Sequence, residues 1–82
     1  MTVEATPVAV LTLERFRELR ARSADTLDAA AARALLRELK AVGGDLRALR
    51  RALTGTEHGR ELWAELAALD REETLRRVDA AL

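Results

Sequence analysis

The stretch Leu46-Arg47-Ala48-Leu49-Arg50-Arg51-Ala52-Leu53-Thr54-Gly55 decides the fold class. Leu46, Leu49 and Leu53 recur at steps of three and four residues, the spacing that lines up side chains on one face of an α-helix, while Arg47, Arg50 and Arg51 fall to the sides of that stripe. No alternating strand pattern competes with this period. Asp45 stands where a carboxylate can accept the free N–H groups of a first turn. Gly55 stands just past the last periodic residue, where glycine readily takes the left-handed conformation that ends a helix. The reading is an amphipathic helix of about two turns from Leu46 to Leu53.

The same period extends in both directions. Upstream, Ala31, Leu35, Leu39 and Val42, with Leu36 at the margin, predict a helix that begins near Thr26 to Asp28 and stops at Gly43-Gly44. The alanine run from Ala29 to Ala32 favours helix and close helix packing. Before it, Leu13, Phe16 and Leu19 predict a helix from Leu13 to about Arg22, with Thr12 as N-cap and Leu11 packed on Phe16 across its entry. Residues 1–12 contain Pro7 and little helical period, and read as an extended or disordered lead. Downstream, Leu62, Leu66 and Leu69, with Trp63 beside them, predict a helix from about Glu57 to Leu69 whose first turn Gly59 weakens. Asp70-Arg71-Glu72-Glu73 has the pattern of a capping box, an acidic N-cap with a glutamate three residues on. A last helix should therefore start at Arg71 and bury Leu75, Val78 and Leu82. The expectation is an all-α fold, a compact bundle of about five short helices forming one domain over residues 13–82.

Composition narrows the function classes. A chain of 82 residues has a small core, and stability at this size is of order 5–15 kcal/mol, so each buried leucine matters. Cysteine is absent, which removes disulfides and thiolate metal sites and points to a reducing, cytoplasmic setting. No run approaches the roughly 20 apolar residues that span a bilayer, so no membrane partner is expected. The chain has one histidine, His58, one lysine, Lys40, and no tyrosine. A catalytic constellation is hard to assemble from these and a His/Cys metal cluster cannot be, so neither catalysis nor a cofactor is expected.

Charge is the most suggestive property. Fourteen basic and fourteen acidic residues cancel, yet residues 33–56 hold six basic and two acidic groups, and residues 57–82 hold four basic and seven acidic groups. Arg33, Arg37, Lys40, Arg47, Arg50 and Arg51 make a basic stripe that can approach phosphates even in a neutral domain. The plainer reading of such a stripe is a solvated helical surface of mixed sign. Trp63 admits two roles, a platform for an unpaired base or a core residue, and its place beside the leucine stripe favours packing.

Three runs carry a family likeness: Leu49-Arg50-Arg51-Ala52-Leu53-Thr54-Gly55, Gly59-Arg60-Glu61-Leu62, and Leu69-Asp70-Arg71-Glu72-Glu73-Thr74-Leu75-Arg76-Arg77-Val78. Together they resemble the end of the anticodon-binding region of bacterial glutamyl-tRNA synthetases. There a Leu-Arg-x-Ala-Leu-Thr-Gly turn precedes a Gly-Pro-x-Leu helix start and a final Leu-Gly-Lys-Glu…Arg-Leu helix. The likeness runs from about Leu46 to Leu82; from Leu13 to Gly44 only the rhythm of short amphipathic helices is shared. Arg50, Thr54 and Gly55 match the pattern. Ala48 and Arg60 stand at usual prolines, Asp70 at a usual glycine, and Arg51 at a usual apolar position.

The resemblance implies a helical module that binds the anticodon region of a tRNA by recognition alone, the glutamate-accepting class being one candidate among the isoacceptors. Arg47, Arg50 and Arg51, with Arg33, Arg37 and Lys40, would carry it, because guanidinium forks grip phosphates and stack on splayed bases. The His-x-Gly-His type signature and lysine-rich loop of the synthetase catalytic domain have no counterpart here. Aminoacylation would belong to a catalytic synthetase domain elsewhere, or to a partner protein. The competing expectation is a small helical protein-interaction or regulatory module that kept such a fold and lost RNA binding. The neutral overall charge, the acidic last third and the altered Gly and Pro positions favour that alternative.

Overall fold

An aspartate at the front and a glycine behind delimit the central helix. The structure, a computed structural model, describes residues 7–82. In chain order the helices are α1 (Pro7–Ala21), α2 (Ala29–Ala41), α3 (Leu46–Thr54), α4 (Leu62–Ala68) and α5 (Arg71–Ala81). The Asp45 carboxylate accepts the N–H groups of Arg47 and Ala48, and Gly55, at φ 79°, closes α3 in the left-handed conformation. Its N–H bonds the Arg51 carbonyl. Both ends of α3 lie where the local residue chemistry puts them. The fold is an all-α bundle, with no strand among the described residues.

α3 packs on each of the other four helices, with α1 and α5 meeting each other as one pair and α2 and α4 as another. Leu49, Leu53, Phe16, Leu39, Leu66 and Val78 are each at most 1% exposed and form the centre of the core. Leu46 and Leu69 are partly buried at its margin. The α2 stripe keeps Leu35 and Leu39 as read, but Ala32 replaces Ala31 in it and Leu36 joins it. Ala32, Leu35, Leu36 and Leu39 are buried, whereas Ala31 is exposed. Leu36 is thus a core residue, and the methyl side chain of Ala32 lets a neighbouring helix approach closely. Val42 is 61% exposed because it is the C-cap and the chain turns there. Gly43 at φ 81° and Gly44 then bond back to the carbonyls of Lys40 and Leu39, a Schellman closure. A Cβ on Gly44 would meet the Leu39 carbonyl oxygen at 2.7 Å, so this second glycine is required by contact and not only by conformation.

Two expected helix starts and one expected buried face are corrected. Helix α1 begins at Pro7, not Leu13, so residues 7–12 of the expected lead are helical; residues 1–6 lie outside the described residues. Proline suits the first helical position, where its missing N–H would have no partner. Thr12 is accordingly a mid-helix residue and not an N-cap. It is buried, with its hydroxyl donating to the Val8 carbonyl and accepting the Asp45 N–H at 2.8 Å, which ties α1 to the entry of α3. Leu11, expected against Phe16, is 63% exposed. Helix α4 begins at Leu62, not Glu57, because Gly59 sits at φ 145°, outside helical space, and residues 56–61 follow bends. The Thr54 hydroxyl donates to the Arg50 carbonyl and accepts the Thr56 N–H, and the Thr56 hydroxyl donates to the His58 carbonyl. In α5 the Asp70 carboxylate caps the Glu73 N–H as expected, but the buried face is Thr74 and Val78. Leu75 is only partly buried, and Leu82, one turn past Val78 at the C-cap, is 51% exposed.

The largest fully buried side chain is Arg20, at 0% exposure. It extends the Leu13, Phe16 stripe by one turn. Its guanidinium donates to the Ser23 hydroxyl at 2.8 Å and to the carbonyls of Ala24 and Asp25 in the α1–α2 loop, and reaches the Leu69 carbonyl at the end of α4 at 3.5 Å. Arg71 reciprocates: its N–H donates to the Asp25 carbonyl at 2.7 Å and its side chain to the Ser23 carbonyl at 2.9 Å. The α1–α2 loop is thereby clasped to the α4–α5 turn, and its Leu27 is carried into the core.

At the surface, the Arg17 guanidinium pairs with the Asp79 carboxylate through two nitrogens, joining α1 to α5. Arg76 and Arg77 both bond Glu73, and Arg77 also donates to the Leu53 carbonyl at 2.7 Å, joining α5 to the end of α3. The hydrogen bond from Arg17 holds the Asp79 carboxyl below its ordinary value, and those from Arg76 and Arg77 do the same for Glu73. Truncation of fully buried Leu49 or Leu66 to alanine should cost about 2–5 kcal/mol in urea unfolding, against under about 0.5 kcal/mol for exposed Leu11→Ala. Because both carboxyl values are depressed on folding, their contribution is fully present above the unfolded values near pH 4 and is lost as pH falls through the native ones. The urea midpoint should therefore drop as the pH falls below about 4, less steeply in Asp79→Asn and Glu73→Gln.

Candidate nucleic-acid interface

The helical period of α2 brings Arg33, Arg37 and Lys40 around Leu36, and α3 presents Arg47, Arg50 and Arg51 from its own exposed sides. The two faces meet at a groove of about 360 Å³. Leu36, Leu46 and Leu62 supply its apolar lining, Arg47 and Arg50 its basic residues, and Glu57 and Glu61 face into the same space together with Trp63. Four elements build it: α2, α3, the start of α4 and the segment 56–61. Arg47 and Arg50 therefore share one groove. Arg33 adjoins it through Trp63, while Arg51, Arg37 and Lys40 are on the same two helices but outside the groove lining.

The six basic residues are held differently. The Arg33 guanidinium lies 4.3 Å above the Trp63 ring, a cation–π contact that covers one face of the half-buried indole. Trp63 packs at the edge of the core, as its place beside the leucines suggested. One Arg50 nitrogen donates to the Arg60 carbonyl at 2.8 Å. Arg51 pairs with Glu57 at 3.6 Å, both side chains about half exposed. Arg37, Lys40 and Arg47 are exposed, and among the described residues their side chains have no carboxylate partner. That distribution is uneven. On the α1–α5 side Arg17, Arg76 and Arg77 are all neutralised by Asp79 or Glu73, while Arg60, in the segment beside α3, pairs with Glu65.

Sequence reasoning missed the acidic wall. Glu57 and Glu61 were counted in the acidic last third, but the expected helix over residues 57–69 hid the turn that returns them to α3. Gly59 was the available signal. No cluster of three or more His, Cys, Asp or Glu side chains able to hold a metal ion occurs among the described residues. His58 is exposed, its carbonyl engaged by Thr56. No helix among the described residues is long and apolar enough to cross a membrane.

A second depression, about 320 Å³, lies on the other side of α2, between Val8, Leu11 and Arg15 of α1 and Val42 to Gly44. Val8, Leu11 and Val42 are each more than half exposed there. No family model matches the chain, and no curated protein or solved structure matches it.

Proposed function

We propose that this chain is an RNA-binding helical module that grips the phosphates of a tRNA anticodon region through α2 and α3, without chemistry of its own. The observation that carries this reading is the placement of the unpaired cations. Arg37, Lys40 and Arg47 have no carboxylate partner among the described residues, while most basic side chains elsewhere are paired within the fold. Unpaired, solvated cations can release the counterions of a phosphate chain without first breaking an internal contact, which is the main source of affinity in such complexes. Arg50, Arg51 and Arg33 border the same surface and would follow once their internal contacts yield. The likeness of Leu49 to Gly55 and of Leu69 to Val78 to the glutamyl-tRNA synthetase anticodon-binding region supports tRNA, the glutamate-accepting class first, as the RNA. A catalytic synthetase domain is then the natural further partner.

The second reading, a protein-docking module, draws on the exposed apolar side chains of Val8, Leu11 and Val42. It predicts no response of RNA binding to the α2–α3 charges, because that surface would be bystander.

Fluorescence anisotropy with labelled tRNA separates the two. Arg47→Glu and Arg37→Glu should each weaken binding by at least about fivefold at low salt and flatten the slope of log K against log salt by about 0.7–1 unit. Circular dichroism should be unchanged, since Arg47 is in the first turn of α3, where the helix dipole favours a carboxylate, and Arg37 is an exposed α2 position where glutamate is a good helix former. Binding that ignores both substitutions, or no binding at low salt, contradicts the RNA reading.

A further inference from the structure

We propose that residues 56–61 form an acidic strap that occupies the arginines of α3 and is displaced when RNA phosphates bind; the inference rests on the RNA-binding reading above. Two of the three α3 arginines are engaged by this one segment. Arg51 pairs with Glu57 at 3.6 Å, and Arg50 donates to the Arg60 carbonyl at 2.8 Å. Glu57 and Glu61 both face the groove that Arg47 and Arg50 line. The strap thus presents to α3 an anionic oxygen and a neutral carbonyl oxygen, the places that a backbone phosphate oxygen and a base carbonyl would take.

The strap is also built to move. It is all exposed and contains Gly59 at φ 145°, with open space except for the Arg50 guanidinium 3.7 Å from where a Cβ would stand. It is tied at its N-terminal end by threonine hydroxyl bonds through Thr54 and Thr56, and at its C-terminal end by the Arg60–Glu65 pair and by the Glu61 carbonyl at the start of α4, which leaves Glu57 to Gly59 the part free to swing away. The Arg51–Glu57 pair is half exposed and long for a charged hydrogen bond, the class of contact worth about 0–1 kcal/mol. A phosphate, with a full charge and several acceptor oxygens, outcompetes such a contact, whereas a buried pair would resist. The strap consequently lowers RNA affinity by a small factor and filters out weakly anionic ligands.

The test compares the full chain with Glu57→Gln and with Glu72→Gln, an exposed α5 position that removes the same charge away from α3. A labelled RNA stem-loop is the probe. Glu57→Gln should bind about two- to fivefold tighter with a salt slope steeper by about 0.7–1 unit, because Arg51 becomes free to meet phosphate, and Glu72→Gln should leave both nearly unchanged. Amides of residues 56–61 should exchange faster in the wild-type complex than in the free protein. Equal behaviour of the two variants, or added protection of residues 56–61 on binding, overturns the strap while leaving RNA binding intact. Absence of binding by all three proteins instead overturns the RNA reading, and the strap with it.

Discussion

The bundle depends on a buried cation that has no carboxylate touching it. Arg20 lies at the end of α1, wholly removed from solvent, and its charge is met by backbone carbonyls of Ala24 and Asp25, by the Ser23 hydroxyl and, at longer range, by the Leu69 carbonyl. Burial, then the neighbouring Arg71 charge, lower its affinity for the proton, and the charges of Asp25 and Asp70 raise it. Arginine is not deprotonated in a protein on that account. The planar fork explains the choice of residue: several donors in fixed directions satisfy several carbonyls at once, which the single ammonium of a lysine does not. Those carbonyls belong to a loop and a helix end that would otherwise need water.

What Arg20 holds is the relation between the two halves of the chain. The loop it organises carries Leu27 into the core and leads directly to Asp28, whose carboxylate caps α2. The turn it reaches carries Arg71 and the Asp70 cap of α5. α4, which ends at that turn, packs on α2 and sets Trp63 beneath Arg33. The groove shared by α2, α3 and α4 therefore has its geometry fixed from the far end of the bundle. A second polar tie, the Thr12 hydroxyl to the Asp45 N–H, fixes the near end by locating the start of α3 on α1.

Those ties mark the boundary of what could be read from the residues alone. The helices themselves were legible, because their leucines obey a single period and because Asp45, Gly43, Gly55 and Asp70 are strong local stop and start signals. Thr12 was misassigned because a threonine ahead of a leucine looks the same as an N-cap whether or not a proline three to five residues earlier has already begun the helix. Arg20 occupies a stripe position, at the step after Leu13 and Phe16, but charge argues against burial, and what makes it tolerable is the way the following loop turns the Ala24 and Asp25 carbonyls back onto it, a geometry that side-chain identities do not announce. At the candidate interface the basic residues were visible as a charge excess. Which of them are already engaged was not, since the Arg51–Glu57 and Arg50–Arg60 contacts depend on a turn around Gly59 that the helical period obscured.

An overall neutral domain with a one-sided surface follows from this architecture. Carboxylates are spent on the α1–α5 side, where Asp79 and Glu73 hold Arg17, Arg76 and Arg77, whereas Arg37, Lys40 and Arg47 on α2 and α3 have no carboxylate partner among the described residues. Each step of that account presupposes the clasp at Arg20. Replacing Arg20 with methionine keeps the length and apolar stem of the side chain while removing every donor. Urea unfolding followed by the fluorescence of Trp63, the sole tryptophan, should then show a loss of about 2–4 kcal/mol, with the loop and turn carbonyls left unsatisfied. A change of less than about 0.5 kcal/mol would contradict the claim that this buried arginine organises the bundle.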